Sequence, residues 1–163
     1  MKMLAEQNLR FLTHRPLQHI PPTPIPIKSF QITAIHAVDG DGFWAQIGNG
    51  VKMVRLLGLD APELMSITPS GQRIGLWAKA ELNSLIESQL LWAHPDSIQP
   101  LTDRFSRLLL WVWRVSDSTF INQILVQIGA ARTRPDFKSN YTQHLHNIEN
   151  HAKSLHCGIW KEQ

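Results

Sequence analysis

A single cysteine, Cys157, stands in a chain of 163 residues, which excludes an internal disulfide framework and a thiolate zinc cluster. Its place between His156 and Gly158, near the end of a helical pattern, gives it a packing role rather than a nucleophilic one. Long apolar runs are missing too: nothing approaches the ~20 apolar residues that a membrane-spanning helix needs, so no membrane partner is expected. The segment Met1 to Arg15 carries Lys2 and Arg10 but no continuous apolar core of about 7–15 residues and no evident cleavage site. No secretory leader is expected there, and the expected compartment is the cytoplasm. Net charge is slight, +3, which permits a polyanionic partner without demanding one.

What is present is an apolar fraction of 43% and six tryptophans, enough for one domain with an ordinary core. Proline is concentrated at Pro16, Pro21, Pro22, Pro24 and Pro26, where it forbids a helix and favours extended chain. Residues 1–28 therefore read as a proline-rich N-terminal extension, with a short helix over Met3 to Phe11, and residues 29–163 as the folded domain. No protein partner is evident from this segment.

The chemistry is concentrated between Val38 and Glu63. Two acidic clusters, Asp39-Gly40-Asp41 and Asp60-Ala61-Pro62-Glu63, flank the apolar run Val54 to Leu59, in which Arg55 is embedded. Gly48-Asn49-Gly50 separates two β-rich segments, and Asn-Gly is the strongest short hairpin signal because both central residues accept positive φ. Phe43 to Leu59 is thus predicted to be a β-hairpin that brings Asp41 and Asp60 together. Two adjacent carboxylates repel, and a shared proton or a bound cation resolves the conflict. With oxygen donors and no His or Cys in the cluster, calcium or magnesium is favoured over zinc. The residues alone leave open the plainer alternative of a turn aspartate and a solvated strand-end aspartate. Arg55 in an apolar strand needs a partner, either one of these acids or a phosphodiester gripped by two N–H groups. Asp39 reads as a turn former, and the Ala61 carbonyl as a further metal donor.

Around this stretch, Phe30 to Val38 reads as the first strand, and Leu64 to Gly71 as a loop bordering a cleft. Ile74, Trp77, Ala78, Leu82, Leu85 and Ile86 recur at helical spacing over Gly71 to Ser88. Leu90 to Ala93 and Phe105 to Val115 read as strands, Phe120 to Gly129 as an amphipathic helix, and Tyr141 to His156 as the last helix. Arg104 and Arg114 read as solvated charges, Asp103 as the shaper of the turn before Arg107, and Asn122 as a structural hydrogen-bonding group. His144, His146, His151 and His156 lack the i,i+4 pair of a helical zinc site and read as surface residues.

Four motifs occur in a recognisable order: Val38-Asp39-Gly40-Asp41; Val54-Arg55-Leu56-Leu57-Gly58-Leu59-Asp60-Ala61-Pro62-Glu63; Asp103-Arg104-Phe105-Ser106-Arg107; and Gly158-Ile159-Trp160. Over roughly Ser29 to Trp160 the chain resembles the staphylococcal nuclease (thermonuclease) family. The resemblance implies an α+β, mainly β, fold: an OB-type five-stranded barrel with about three helices. It implies a calcium-dependent phosphodiesterase cutting DNA and RNA with little sequence preference. Asp41, Asp60 and the Ala61 carbonyl match the calcium ligands, Arg55 and Arg107 the phosphate-binding arginines, and Glu63 the glutamate that positions or deprotonates water.

The chain also departs from that pattern. Gly42 replaces the common Thr after the second Asp, and Phe105-Ser106-Arg107 replaces Tyr-Gly-Arg, so Phe105, a candidate substrate-binding residue, lacks the phenol that could contact a substrate phosphate. Of the aromatic pair that stacks a base, only Phe137 is available near Thr133 to Phe137. On this fold the basic loop of Arg132, Arg134 and Lys138 around Phe137 is a candidate to guide a strand toward the site. The competing expectation is an OB module, catalytically weak or inactive, that binds nucleic acid or protein.

Overall fold

The computed structural model describes residues 23–134 and 136–161; the helix expected over Met3 to Phe11 lies outside them. Five strands close a mixed barrel in the order β1-β2-β3-β6-β5. They are β1 (Phe30–Ala37), β2 (Gly42–Ile47), β3 (Gly50–Leu56), β5 (Leu90–His94) and β6 (Leu108–Arg114). A separate two-stranded ribbon pairs β4 (Leu59–Asp60) with β7 (Arg132–Thr133). Among the described residues three helices, α1 (Pro69–Ile86), α2 (Ile121–Gln127) and α3 (Thr142–Ser154), pack outside, with a 3-10 turn at Gly158–Trp160. This is the five-stranded OB architecture, α+β in class.

Alternation explains the strands. Ile32 and Ala34 on β1, Phe43 and Ala45 on β2, and Val54 and Leu56 on β3 point inward and are fully buried, as period-2 side chains on a one-sided sheet must be. Strand β6 is different: Leu110, Trp111, Val112 and Trp113 are all buried. One face fills the barrel, and the other is covered by an aromatic cluster. In that cluster Trp111 meets Tyr141 at 4.9 Å between centroids and Trp113 stacks on Phe120 at 4.6 Å.

The hairpin forms with an adjusted turn. Ile47 pairs with Gly50, so the central residues are Gly48 and Asn49, and the positive φ of 56° falls on Gly48. That is the arrangement in which glycine takes the first central position, not the Asn-Gly centre expected from sequence. The second strand also stops at Leu56. Gly58 (φ 72°) turns the chain, and Leu59–Asp60 leaves the hairpin to pair with β7.

Helix α1 begins two residues before the expected Gly71, because Thr68 caps it, its Oγ1 accepting from the Gly71 N–H at 3.1 Å, and Pro69 suits the first helical turn. Its buried stripe is Gly75, Ala78, Leu82 and Ile86. Strand β6 is shorter than predicted, starting at Leu108, so Arg107 lies just outside it. From the proline-rich segment, Thr23 lies against the domain: its carbonyl accepts from Trp113 Nε1 at 3.0 Å and its hydroxyl donates to Gln123 Oε1 at 3.1 Å. No described helix is long and apolar enough to cross a membrane.

Candidate active site

The site grows from the loop between β1 and β2. The Val38 N–H donates to the Gly42 carbonyl at 2.8 Å, and the Asp41 N–H to Asp39 Oδ1 at 3.1 Å, so Asp39 is the turn-forming residue expected of it. Gly40 is wedged into a contact that admits no side chain. A Cβ there would lie 2.6 Å from the Ala61 Cβ and 2.8 Å from the Ala78 Cβ. The Asp39–Asp41 turn is thereby pinned between the segment after β4 and helix α1.

Asp41 is 2% exposed, and both of its oxygens are engaged. Oδ2 accepts from the Ala61 N–H at 2.7 Å, and Oδ1 is ion-paired with Arg55 Nη1. Arg55, opposite Gly42 in the β2–β3 register, donates from Nη2 to the Leu59 carbonyl at 3.0 Å and approaches Asp60 Oδ1 at 3.6 Å. The two acids therefore meet through a guanidinium. Burial pushes the Arg55 guanidinium down from its ordinary value; Asp39 and Asp60 oppose this, and Arg107 and Arg134 reinforce it. An arginine nonetheless stays charged, so Arg55 sits among three acids, Asp39, Asp41 and Asp60, with two further guanidinium groups, those of Arg107 and Arg134, acting on it.

Arg107 is presented by a tight turn with Ser106 at φ 60°. Asp103 organises that turn: its Oδ1 accepts from the Phe105 and Arg107 N–H groups at 2.9 and 3.0 Å, and its Oδ2 accepts from Arg107 Nε at 2.7 Å. Burial alone would raise the Asp103 carboxyl, but the hydrogen bonds from Arg107 and Phe105 outweigh it and hold the group below its ordinary value. Phe105 is 64% exposed and lies under both Arg104, at 4.7 Å, and Arg107, at 5.4 Å. Arg104 is thus engaged with an aromatic face rather than merely solvated.

Glu63 is exposed, and among the described residues its carboxylate has no hydrogen-bond or ion-pair partner. Its backbone is fixed, however, because Gly75 lets the chain lie directly on α1: a Cβ at Gly75 would sit 2.6 Å from the Glu63 carbonyl oxygen. The side chain is free while its root is held.

The basic loop divides. Arg134 bears on Arg55, and its N–H donates to the Gly58 carbonyl at 3.0 Å. Arg132 pairs through its backbone with Asp60, but its guanidinium lies over Trp160 at 5.1 Å. Lys138 is exposed, its carbonyl accepting from Gln99 Nε2. Phe137, expected to meet substrate, is instead half-buried against the core, edge-on to Trp111 at 6.4 Å, because the aromatic cluster over β6 takes up the ring. Arg114, expected to be solvated, is clipped to Asp117 at 2.7 Å. The helical histidines are not simply surface residues either: His144 hydrogen-bonds Gln123 at 2.8 Å, and His146 and His151 each bury Nε2. Two groups that sequence reasoning missed, the Leu59 carbonyl and the Ala61 N–H, are backbone atoms with no signature in residue identity.

For a cation, the side-chain donors at hand are the carboxylate of Asp60 and that of Asp41, whose two oxygens already serve Arg55 and the Ala61 N–H; both are hard oxygen ligands suited to calcium or magnesium and unsuited to soft metals. Their number is small: among the described residues no group of three or more His, Cys, Asp or Glu side chains could hold a metal ion. The set fits a hard cation only if water and a substrate oxygen complete it.

The family model described as "Staphylococcal nuclease homologue" matches residues 53–162. The chain is 27% identical over 128 residues to an uncharacterised protein of Bacillus anthracis, covering 77% of this chain but only 58% of that protein. It is 26% identical over 129 residues to a thermonuclease of Staphylococcus hyicus, covering 77% of this chain and 73% of the relative.

Proposed function

Since this chain belongs to the staphylococcal nuclease family, we propose that it hydrolyses phosphodiester bonds of DNA or RNA with little sequence preference, in a calcium-dependent reaction. The observation that carries this reading is Arg55, held between Asp41 and Asp60 with Arg107 and Arg134 in electrostatic reach. A cluster of guanidinium groups around two acids suits a phosphate that arrives with a cation.

In this reading, Arg55 and Arg107 each hold non-bridging phosphate oxygens. Their grip tightens as negative charge grows on those oxygens, which is differential stabilisation of the transition state. Asp103 keeps the Arg107 guanidinium aimed through its hold on Nε. Glu63, with a free carboxylate on a fixed backbone, orients water or takes its proton, a contribution typically worth about 10²–10⁴ in rate. Asp41, Asp60 and the Ala61 carbonyl are the residues that would hold calcium, which when bound supplies Lewis-acid polarisation of a phosphoryl oxygen.

The small donor set favours one alternative, an OB module that binds strands without cutting them. Labelled DNA and RNA incubated with calcium, with magnesium and with chelator separate the two readings. Shortened products with calcium and none with chelator are expected, with Arg107→Ala strongly impaired. Strands that shift in a gel but stay intact under every condition would establish the binding module instead.

A further inference from the structure

Five of the six tryptophans belong to the interior: Trp111, Trp113 and Trp160 are buried, and Trp77 and Trp92 pack against the core. Trp44 does not. It is 39% exposed on β2 and lies outside the core cluster. A single exposed apolar side chain is ordinary; what sets this one apart is its company.

Register shows what surrounds it. Trp44 lies opposite His36 on β1 and Met53 on β3. An irregularity between Ala34 and His36 breaks the alternation of β1, so that Ile35 and His36 are both exposed. Such bulges re-aim side chains next to functional sites. The next pair along β2–β3 on the same face is Gly42 with Arg55. Side chains two residues apart on a strand share a face and are separated by about 7 Å, so the indole and the Arg55 side chain rise from one side of the barrel as neighbours. Met53 joins them: its Cε lies 3.0 Å from where a Cβ on Gly42 would be, so it leans toward the Gly42–Arg55 pair. Gly42 lacks a side chain, and the space beside it is taken by the Met53 Cε and, at 2.9 Å from the same Cβ position, by Asp39 Oδ1, so Met53 and Asp39 line the stretch between the indole and the Gly42–Arg55 pair.

We infer that Trp44, flanked by His36 and Met53, is a base-stacking platform that holds the nucleobase adjoining the phosphate gripped at Arg55. The strands β2 and β3 of OB barrels present the face on which oligonucleotides lie, and an aromatic beside a cationic groove is how such a face takes unpaired bases. A stacked base must be out of its duplex, so the substrate class is single-stranded or locally opened nucleic acid. The platform also supplies, on a different strand, the aromatic surface that Phe137 gives up to the core. This inference rests on the phosphodiesterase reading of the Arg55 site and adds to it the base and the strandedness of the substrate.

The test is equilibrium binding in chelator, with no cleavage, of a thymidine octanucleotide and of an abasic phosphodiester chain of the same length. Wild type is expected to prefer the octanucleotide. Trp44→Ala should bind it about 5- to 150-fold more weakly, the range for loss of one stacked base, while binding the abasic chain like wild type. Trp44→Phe should keep most of the preference. Fluorescence gives a second reading: the octanucleotide should quench wild-type emission, and the abasic chain should not, with the quenching much reduced in Trp44→Phe. Equal octanucleotide affinity in wild type and Trp44→Ala, or equal weakening of both ligands, overturns the platform while leaving calcium-dependent cleavage to be observed. A wild-type protein that neither binds nor cleaves either strand overturns the platform and the nuclease reading together.

Discussion

The Asp41–Arg55 pair makes the sharpest energetic prediction. Its side chains are 3% and 15% exposed, and Asp41 also accepts from the Ala61 N–H at 2.7 Å. Asp41→Ala leaves a largely buried guanidinium without its main partner and a backbone donor without an acceptor. Breaking one side of a buried ion pair costs about 3–5 kcal/mol, and an orphaned N–H about 1–3 kcal/mol. Arg55 keeps the Leu59 carbonyl at 3.0 Å and Asp60 at 3.6 Å, which places the sum at about 4 kcal/mol, near the low end. Against a total stability of roughly 5–15 kcal/mol that is a large fraction. With a urea m-value of about 2 kcal/mol/M, the midpoint should fall by about 2 M. Arg55→Met in the Asp41→Ala background should cost less than the two single changes added, because the buried charge goes with its partner. The assay is urea unfolding of the four proteins of the cycle. Additivity within about 0.5 kcal/mol, or an Asp41→Ala midpoint close to wild type, would refute the buried-pair argument.

Asp103→Ala should release the turn that aims Arg107 and lower kcat by about 10²-fold, the scale of a misplaced transition-state contact; an unchanged kcat would remove Asp103 from the positioning of that arginine. Gly75→Ala sets two effects against each other: a helix-propensity gain of about 1 kcal/mol and a Cβ 2.6 Å from the Glu63 carbonyl oxygen. Backbone cannot yield as a side-chain tip does, and overpacking costs about 1–3 kcal/mol. The variant should therefore unfold earlier and cleave more slowly, and a stabilised, fully active variant would contradict the contact. Burial lowers His144 from its ordinary 6.5, so the unfolded chain takes up that proton first as pH falls. Its contribution is present above about pH 6.5 and is lost as pH falls below it toward the lower folded value. His144→Gln should flatten the difference in unfolding free energy between about pH 8 and 5, and parallel curves for the two proteins would exclude this role.

Much of the architecture is legible along the chain because burial imposes period. Ile32 and Ala34, or Ala78, Leu82 and Ile86, can be assigned to an inner face from spacing alone. The charged residues of the site are legible for a related reason: an arginine in an apolar strand and paired acids beside turn glycines are costly unless they meet something. Asp103 as a turn-shaping residue and Asn122 as a structural hydrogen-bonding group are likewise readable, and in the structure Asn122 Oδ1 accepts from the Val112 N–H while its Nδ2 donates to the Leu57 carbonyl.

Spacing cannot decide what a residue meets across the fold. Phe137 stands among polar neighbours and Trp44 beside Phe43 and Ala45 in an apolar strand, yet the first is drawn into the cluster over Trp111 and the second is left 39% exposed. The hairpin turn shifted by one residue because closure depends on which glycine carries the positive φ. Asp60 arrives beside Arg55 through the β4–β7 ribbon rather than through the hairpin. The order of the chain thus determined which side chains are apolar, charged or turn-forming. Only the closed barrel decided that Arg55 sits in Asp41's carboxylate, because that contact depends on the Leu59 carbonyl and the Ala61 N–H, and backbone groups are the same in every residue until the fold aims them.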